Sequence, residues 1–323
     1  MKAIVHTQYG PPDVLQFKDV EKPVPGDGEI LIKIHAASVN TLDLALTGPL
    51  LARIITGGLF KPKDQRLGAD LAGQVEAVGS NVTQFQPGDK VFGKGVGTFA
   101  EYVCVREDAV VLKPKPLSFE EAASVPVAAL TALQGLRDKG QIQPGQKVLI
   151  HGATGGVGSF AVQIAKAFGA EVTAVCSTRN VDMVRSLGAD HVIDYTQEDC
   201  TRNGKQYDLI LAVNGYHSIF AFRRALSDTG RYVLVGGSKN HIYQALLQAI
   251  LLGPLLSRTG KQKMGFMGIA KINQKDLMYV KELLEAGKIV PVIESRYPLR
   301  ETSEALSYLE EGHARAKVVI TME

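Results

Sequence analysis

The sequence predicts an α/β protein: a partly closed, barrel-like β domain at the start of the chain, followed by a doubly wound parallel sheet. Three observations carry that reading. Before Ser118, short candidate strands are punctuated by Gly and Pro without a sustained helical period. From Lys147 to Val235, apolar strands alternate with helical stretches, the order that builds a parallel sheet covered on both faces. Between the first of these strands and its helix lies Gly152-Ala153-Thr154-Gly155-Gly156-Val157-Gly158, a turn that brings backbone amides towards a pyrophosphate.

In the first part, Leu31–Val39 and Gly73–Gly79 read as strands, and Gln86-Pro87-Gly88-Asp89 is a turn before Lys90–Gly93. Phe99–Val103 is a further strand. Ser118 with Glu121 three residues later forms a capping-box pattern, and a helix follows Pro126 through Leu133 towards Arg137. The parallel strands are predicted at Lys147–Ile150, Glu171–Cys176, His191–Ile193, Asp208–Val213 and Tyr232–Val235. Helices are predicted at Ser159–Phe168, Val181–Leu187, Ser218–Leu226 and Lys275–Glu285, the last stopped by Gly287. After Pro291 come an extended piece, a helix Glu301–Glu311 and a final strand Ala316–Thr321, expected to rejoin the first domain and cover its edge. The domains expected are therefore 1–122, 123–290 and a returning 291–323.

Composition limits the function. A chain of 323 residues, 45% hydrophobic and 21% charged, suits two globular domains. A formal charge of +3, with scattered basic residues, gives no basis for nucleic-acid binding. Cys104, Cys176 and Cys200 are too far apart in sequence for a disulfide framework or a thiolate cluster, and the polar start does not read as a secretory signal. A cytoplasmic location is expected. Ile242–Leu256 is almost continuously apolar, interrupted by Gly253-Pro254, yet too short to cross about 30 Å of hydrocarbon. No integral membrane insertion is expected; a buried or lid helix, a subunit interface and weak peripheral membrane contact remain open.

The glycine turn assigns cofactor-binding roles. Gly152 permits the tight turn, Gly155 clears the phosphate approach, and Gly158 lets the helix sit against the sheet. The next strand ends in Ser177-Thr178-Arg179, where an NAD site normally places Asp or Glu; donors and a cation there suit the 2′-phosphate of NADP(H). The loops containing Asn214 and Gly236-Gly237 leave room for the nicotinamide ribose and ring.

Ser38–Asp43, Gly68–Val75, Gly79, Pro87–Val91, Gly152–Gly158, Leu283–Ile289 and Lys317–Ile320 together resemble the zinc-free quinone oxidoreductase group of the medium-chain dehydrogenase/reductase superfamily. The resemblance spans nearly the whole chain. It implies a GroES-like catalytic domain made from both chain ends, an inserted Rossmann domain and a homodimer formed through the cofactor domains. Zinc-containing relatives carry cysteine in the early loop and histidine at the position of Ala69; here the loop offers Asn40 and Asp43, so no metal is expected.

The resemblance implies NADPH-dependent hydride transfer to a small-molecule quinone or activated α,β-unsaturated carbonyl. A zinc-independent carbonyl reductase and a non-catalytic NADPH-binding redox sensor are the alternatives. Asn40, Asp43 and Thr131 are the catalytic candidates, although Asn40 and Asp43 equally suit capping of a buried loop. Phe266 and Met267 resemble the segment that passes the cofactor carboxamide. His6, Tyr9 and Lys63 are candidate proton donors.

Overall fold

The computed structural model describes residues 1–47, 62, 65–238, 240–312 and 314–322, so Lys63 lies outside the described residues. The chain divides into two compact units. One comprises Met1–Ala128, Ile272–Glu285 and Pro291–Glu323; the other comprises Ala129–Lys271 and Ala286–Val290.

The first unit begins with β1 (Lys2–Val5), β2 (Gln16–Asp19), β3 (Glu29–Ser38), β4 (Asp70–Val78), β5 (Lys90–Lys94), β6 (Tyr102–Arg106) and β7 (Val110–Leu112). The second unit contributes β8 (Lys147–His151), β9 (Glu171–Cys176), β10 (His191–Asp194), β11 (Tyr207–Ala212), β12 (Leu226–Leu234) and β13 (Lys263–Phe266). The chain then returns with β14 (Ile293–Pro298) and β15 (Lys317–Thr321).

Strand β3 is the spine of the first unit. It pairs with β4 on one side, while β6 and β15 share its other edge in succession. The sheet runs β14-β15-β3-β4-β5-β7. The expected return is therefore present: Val319, Ile320 and Thr321 pair with Ser38, Ala37 and Ala36. Its driving force is burial, since Val318 and Ile320 enter the same apolar cluster as Ile4, Val39 and Phe99. The predicted capping box forms, with Ser118 Oγ accepting from Glu121 N at 3.1 Å and Glu121 Oε2 accepting from Ser118 N at 2.7 Å.

The second unit is a six-stranded sheet ordered β10-β9-β8-β11-β12-β13, and every pairing is parallel. Val148, Leu149 and Ile150 of β8 are fully buried, as a strand covered on both faces requires. Strand order reverses direction between β8 and β11. This creates the switch point beside which open α/β sheets bind ligands, beyond the strand C-termini.

Two helices depart from expectation. The one starting at Pro126 ends at Gln134 and continues as a wider turn over Gly135–Lys139. Gly253-Pro254 does not break Ile242–Leu256: helix runs from Ile242 to Arg258 by way of a widened turn over Gln248–Leu252. Gly253 N closes that turn onto Gln248 O, which relieves the helix where Pro254 lacks a donor. Nor is the helix simply buried. Ala245, Ala249 and Gly253 face the core, whereas Tyr243, Leu247, Ile250, Leu251 and Leu255 are each more than half exposed. Small residues allow close packing, so the bulky apolar ones are left outside.

Candidate functional site

The glycine turn has the geometry its residue types imply. Gly152 lies at φ +85°, and a Cβ there would meet Asn214 N at 2.6 Å. A Cβ on Gly158 would stand 2.1 Å from Gly152 O, so only glycine permits this helix to start so near its strand. Gly155 is different: among the described residues, nothing lies within 4 Å of its Cβ position. It is the N-cap of helix Gly156–Ala167 and provides no side-chain cap, leaving the first-turn amides to another acceptor. Space beside Gly155, first-turn amides with no side-chain cap from the N-cap residue and the positive helix end together fit a pyrophosphate. Ala153 N donates to Val175 O at 3.1 Å, tying the turn to the end of β9, while Thr154 and Val157 stay half-buried along it.

Ser177, Thr178 and Arg179 follow β9, and Thr178 and Arg179 are exposed. The structure adds an acid that strand-by-strand reading did not place here. Asp194, ending β10, accepts from Thr178 Oγ1 at 2.5 Å, and that bond, with those from Thr196, holds its carboxyl below the usual range. Ser177 Oγ accepts from Asn180 Nδ2 at 3.2 Å.

The other predicted cofactor loops converge on the same sheet end. Val213 N and Asn214 N both donate to His151 O, at 2.9 and 3.2 Å. His151 Nδ1 donates in return to Asn214 O at 2.5 Å; burial pushes this imidazole down to about 4, so its ring is neutral. Gly236 N donates to Ala212 O at 3.2 Å, and Gly237 packs beside Ile242. Met267 N donates to Leu234 O at 2.9 Å, placing the buried Met267 and half-buried Phe266 after β13. Thr131, also in this unit, is half-buried on helix Pro126–Gln134.

Asn40 and Asp43 come together in the first unit, in a buried polar network. Asn40 precedes helix Thr41–Thr47, and its backbone N donates to Asp43 Oδ2 at 2.8 Å. Asn40 Nδ2 donates to Asp70 Oδ2 at 2.9 Å and Ser38 O at 3.3 Å, while its Oδ1 accepts from Lys317 Nζ at 2.7 Å. Lys317 Nζ also reaches Val39 O at 3.2 Å and Asp70 Oδ2 at 3.3 Å. Ser38 Oγ and Val127 N complete the Asp70 carboxylate, at 2.7 and 2.8 Å. Asp70 is 0% exposed and Lys317 3% exposed, so these bonds replace water entirely.

This network does not fit a catalytic zinc ion. Ala69 brings a methyl group, the Asn40 amide is committed on both atoms, and the Lys317 ammonium already holds the cationic position. His6 and Tyr9 also lie in the first unit, buried and half-buried. Sequence reasoning passed over Lys317 and Asp70 as members of a site. The available signal was a lone lysine opening the apolar strand Lys317-Val318-Val319-Ile320.

Burial raises the Asp43 carboxyl to about 7; the neighbouring Asp70 adds to the rise, and the Asn40 amide and Lys317 ammonium oppose it. Its folded value therefore lies above its unfolded one, near 3.8. The resulting stabilisation is complete below that unfolded value and is lost as pH rises through about 7. Asp43→Asn cannot ionise, so its stability relative to wild type is expected to rise by up to a few kcal/mol between pH 5 and 8. Urea midpoints measured across that range check it. A difference that does not vary with pH would rule out proton uptake at Asp43.

Comparison with known proteins agrees with this architecture. Residues 26–115 match the family described as alcohol dehydrogenase GroES-like domain, and residues 187–320 match that described as zinc-binding dehydrogenase. A GroES-like unit joined to a Rossmann-type parallel sheet defines a medium-chain dehydrogenase/reductase. Within that superfamily, the chain belongs to the zinc-free quinone oxidoreductase group. It is 37% identical to 2-methylene-furan-3-one reductase of Solanum lycopersicum, over 99% of this chain and 79% of the relative. The quinone oxidoreductase of Coxiella burnetii superposes with a TM-score of 0.86 at 32% identity, covering 100% of this chain and 99% of the other. That of Escherichia coli, solved with NADPH, gives 0.84 at 25% identity, covering 99% and 100%. The protein is thus an oxidoreductase of the nicotinamide-dependent type. Among the described residues, no helix is long and apolar enough to cross a membrane, and similar relatives carry chloroplastic or mitochondrial names.

Proposed function

We propose that the protein is a zinc-independent, NADPH-dependent reductase that transfers hydride to a quinone or an activated α,β-unsaturated carbonyl. The observation that carries this reading is the glycine turn at the β8/β11 switch point, open at Gly155 among the described residues and followed by a helix start without a side-chain cap. Ser177, Thr178 and Arg179 support the 2′-phosphate, and Asn214, Gly236, Gly237, Phe266 and Met267 line the nicotinamide end. The acceptor class is supported by the relatives, one named for a methylene-furanone and others for quinones.

A bound reduced nicotinamide supplies the hydride. The chain binds and orients: Thr131 offers a hydroxyl to cofactor or substrate, while Asn40 and Asp43 position the loop at the start of helix Thr41–Thr47. Hydride plus one proton converts a quinone to a hydroquinone, or saturates the activated double bond, so no metal is required to balance the reaction. The edge strand β13 and the exposed Tyr243–Leu255 stripe support a homodimer through the second unit. A cytoplasmic setting belongs to the same reading, supported by three free cysteines.

The test is oxidation of NADPH and NADH followed with ortho-quinones, para-quinones and enones, using protein treated with chelator. Turnover with NADPH is expected. Arg179→Ala should raise the KM for NADPH about tenfold or more and leave that for NADH nearly unchanged, as loss of a charge-assisted contact implies. Tight NADPH binding without turnover of any acceptor would instead identify a sensor. Preference for NADH would transfer the ribose role to Asp194 and remove the NADP assignment.

A further inference from the structure

Three segments remote in sequence bring soft and borderline ligands together in the second unit. His151 ends β8, Cys200 lies in the turns after β10, and His217 lies between β11 and helix Ile219–Ala225. One ligand atom from each lies within 4.8 Å of the other two. Cys200 Sγ stands 3.9 Å from His217 Nε2. Bonds of about 2.3 Å to sulfur and 2.0–2.1 Å to nitrogen, at angles between tetrahedral and trigonal, put a sulfur and a nitrogen ligand about 3.6–3.8 Å apart, so Cys200 and His217 already stand near that spacing, and His151, within 4.8 Å of both, closes by up to roughly 1.5 Å on binding. The geometry points to a zinc site formed by His151, Cys200 and His217.

The surroundings orient these ligands. A carbonyl can only accept, so the 2.5 Å contact with Asn214 O places the His151 proton on Nδ1 and leaves Nε2 with a free lone pair. His217 Nδ1 faces Asp199 Oδ1 at 3.9 Å, too long for a hydrogen bond but close enough for the carboxylate to favour positive charge at the ring. Phe222 meets both imidazoles edge-on, at 5.4 and 5.5 Å, and walls the site on that side. Cys200 and His151 are buried, while His217 is only partly so, which gives an ion a route in. Arg202, 3.5 Å from Asp199, shares that carboxylate. One thiolate and two imidazoles select zinc over magnesium or calcium. Binding exchanges the Cys200 thiol proton, which leaves to solvent, for the ion.

The site has a consequence for the cofactor. His151 directly precedes Gly152 and holds Asn214, so an ion there fixes two predicted cofactor loops at once. That coupling rests on the dinucleotide reading above, whereas the ion site does not.

The test is zinc titration of the full chain, stripped with chelator, against a competing chromophoric chelator, with cobalt as a spectroscopic stand-in. One zinc ion per chain is expected, together with a thiolate-to-cobalt charge-transfer band. Cys200→Ser should abolish the band, and His217→Ala should weaken zinc binding at least tenfold, with excess magnesium making no difference. Thermal midpoints without metal verify that the variants fold. Because His217 is partly exposed, its variant decides the matter should Cys200→Ser misfold. Absence of saturable uptake, or uptake unchanged in a folded His217→Ala protein, would overturn the site.

Discussion

Lys317→Met is expected to destabilise the protein by about 3–5 kcal/mol, the cost of leaving one member of a buried ion pair without its partner. The ammonium is 3% exposed and serves Asn40 Oδ1, Val39 O and Asp70 Oδ2 together. Methionine fills much of the same volume but returns no donor. The Asp70 carboxylate would keep Ser38, Asn40 and Val127, yet lose the cation bonded to it among the described residues. Asp70→Asn in the Lys317→Met background removes the stranded charge and should restore a large part of the loss. Urea midpoints of the two single variants and the double variant give the coupling energy directly. A Lys317→Met protein within about 1 kcal/mol of wild type would mean that the network contributes little.

Gly158→Ala and Gly155→Ala should separate the two tasks of the glycine turn. At Gly158 the added methyl would meet Gly152 O at 2.1 Å and Ala153 C at 2.8 Å, both backbone atoms with no rotamer to yield. Helix Gly156–Ala167 must then move off β8, and a loss of about 3 kcal/mol is expected, at the high end for overpacking. Dinucleotide affinity should fall with it. At Gly155 the methyl meets nothing within 4 Å among the described residues, and the backbone lies at an ordinary φ of −75°. Gly155→Ala should therefore keep its thermal midpoint while weakening NADPH binding at least tenfold, because the methyl enters the phosphate approach. Calorimetric titration beside thermal unfolding reads both. Undiminished NADPH binding by folded Gly155→Ala would place the pyrophosphate elsewhere.

The central strands of the parallel sheet were legible because each is a short apolar run closed by its own turn signals and buried on both faces. The half-exposed edge strand β13 (Lys263–Phe266) carries no such run and was missed. Glu171–Cys176 has the bounds its sequence predicts, and the capping box at Ser118 and Glu121 depends only on residues three apart. Helix Ile242–Arg258 was legible as a helix but not in its burial. Its smallest residues face the core, an inversion that hydrophobicity alone misreads: Ala245 and Ala249 are buried in the apolar cluster, and Gly253 lies so near β13 that a Cβ there would meet Met264 O at 2.7 Å. Asp194 shows the same limit for a site. It lies 16 residues beyond Thr178, yet adjacent parallel strands end at one edge, where Thr178 Oγ1 donates to it.

By itself the sequence determined the glycine turn and most of the parallel sheet behind it, and it raised the expectation that the last strand returns to the first unit. Each is encoded by local periodicity, by glycine where no side chain fits, or by an edge that must be covered. Tertiary structure alone decided that Lys317, Asp70, Asn40 and Ser38 share one buried network, and that His151, Cys200 and His217 face one another. Ser38 and Asn40 are close in sequence, but Asp70 stands 30 positions and Lys317 277 positions from Asn40. Only strand pairing brings β15 against β3 and the ends of β8, β10 and β11 together, and a buried charge has no local partner from which its role can be read.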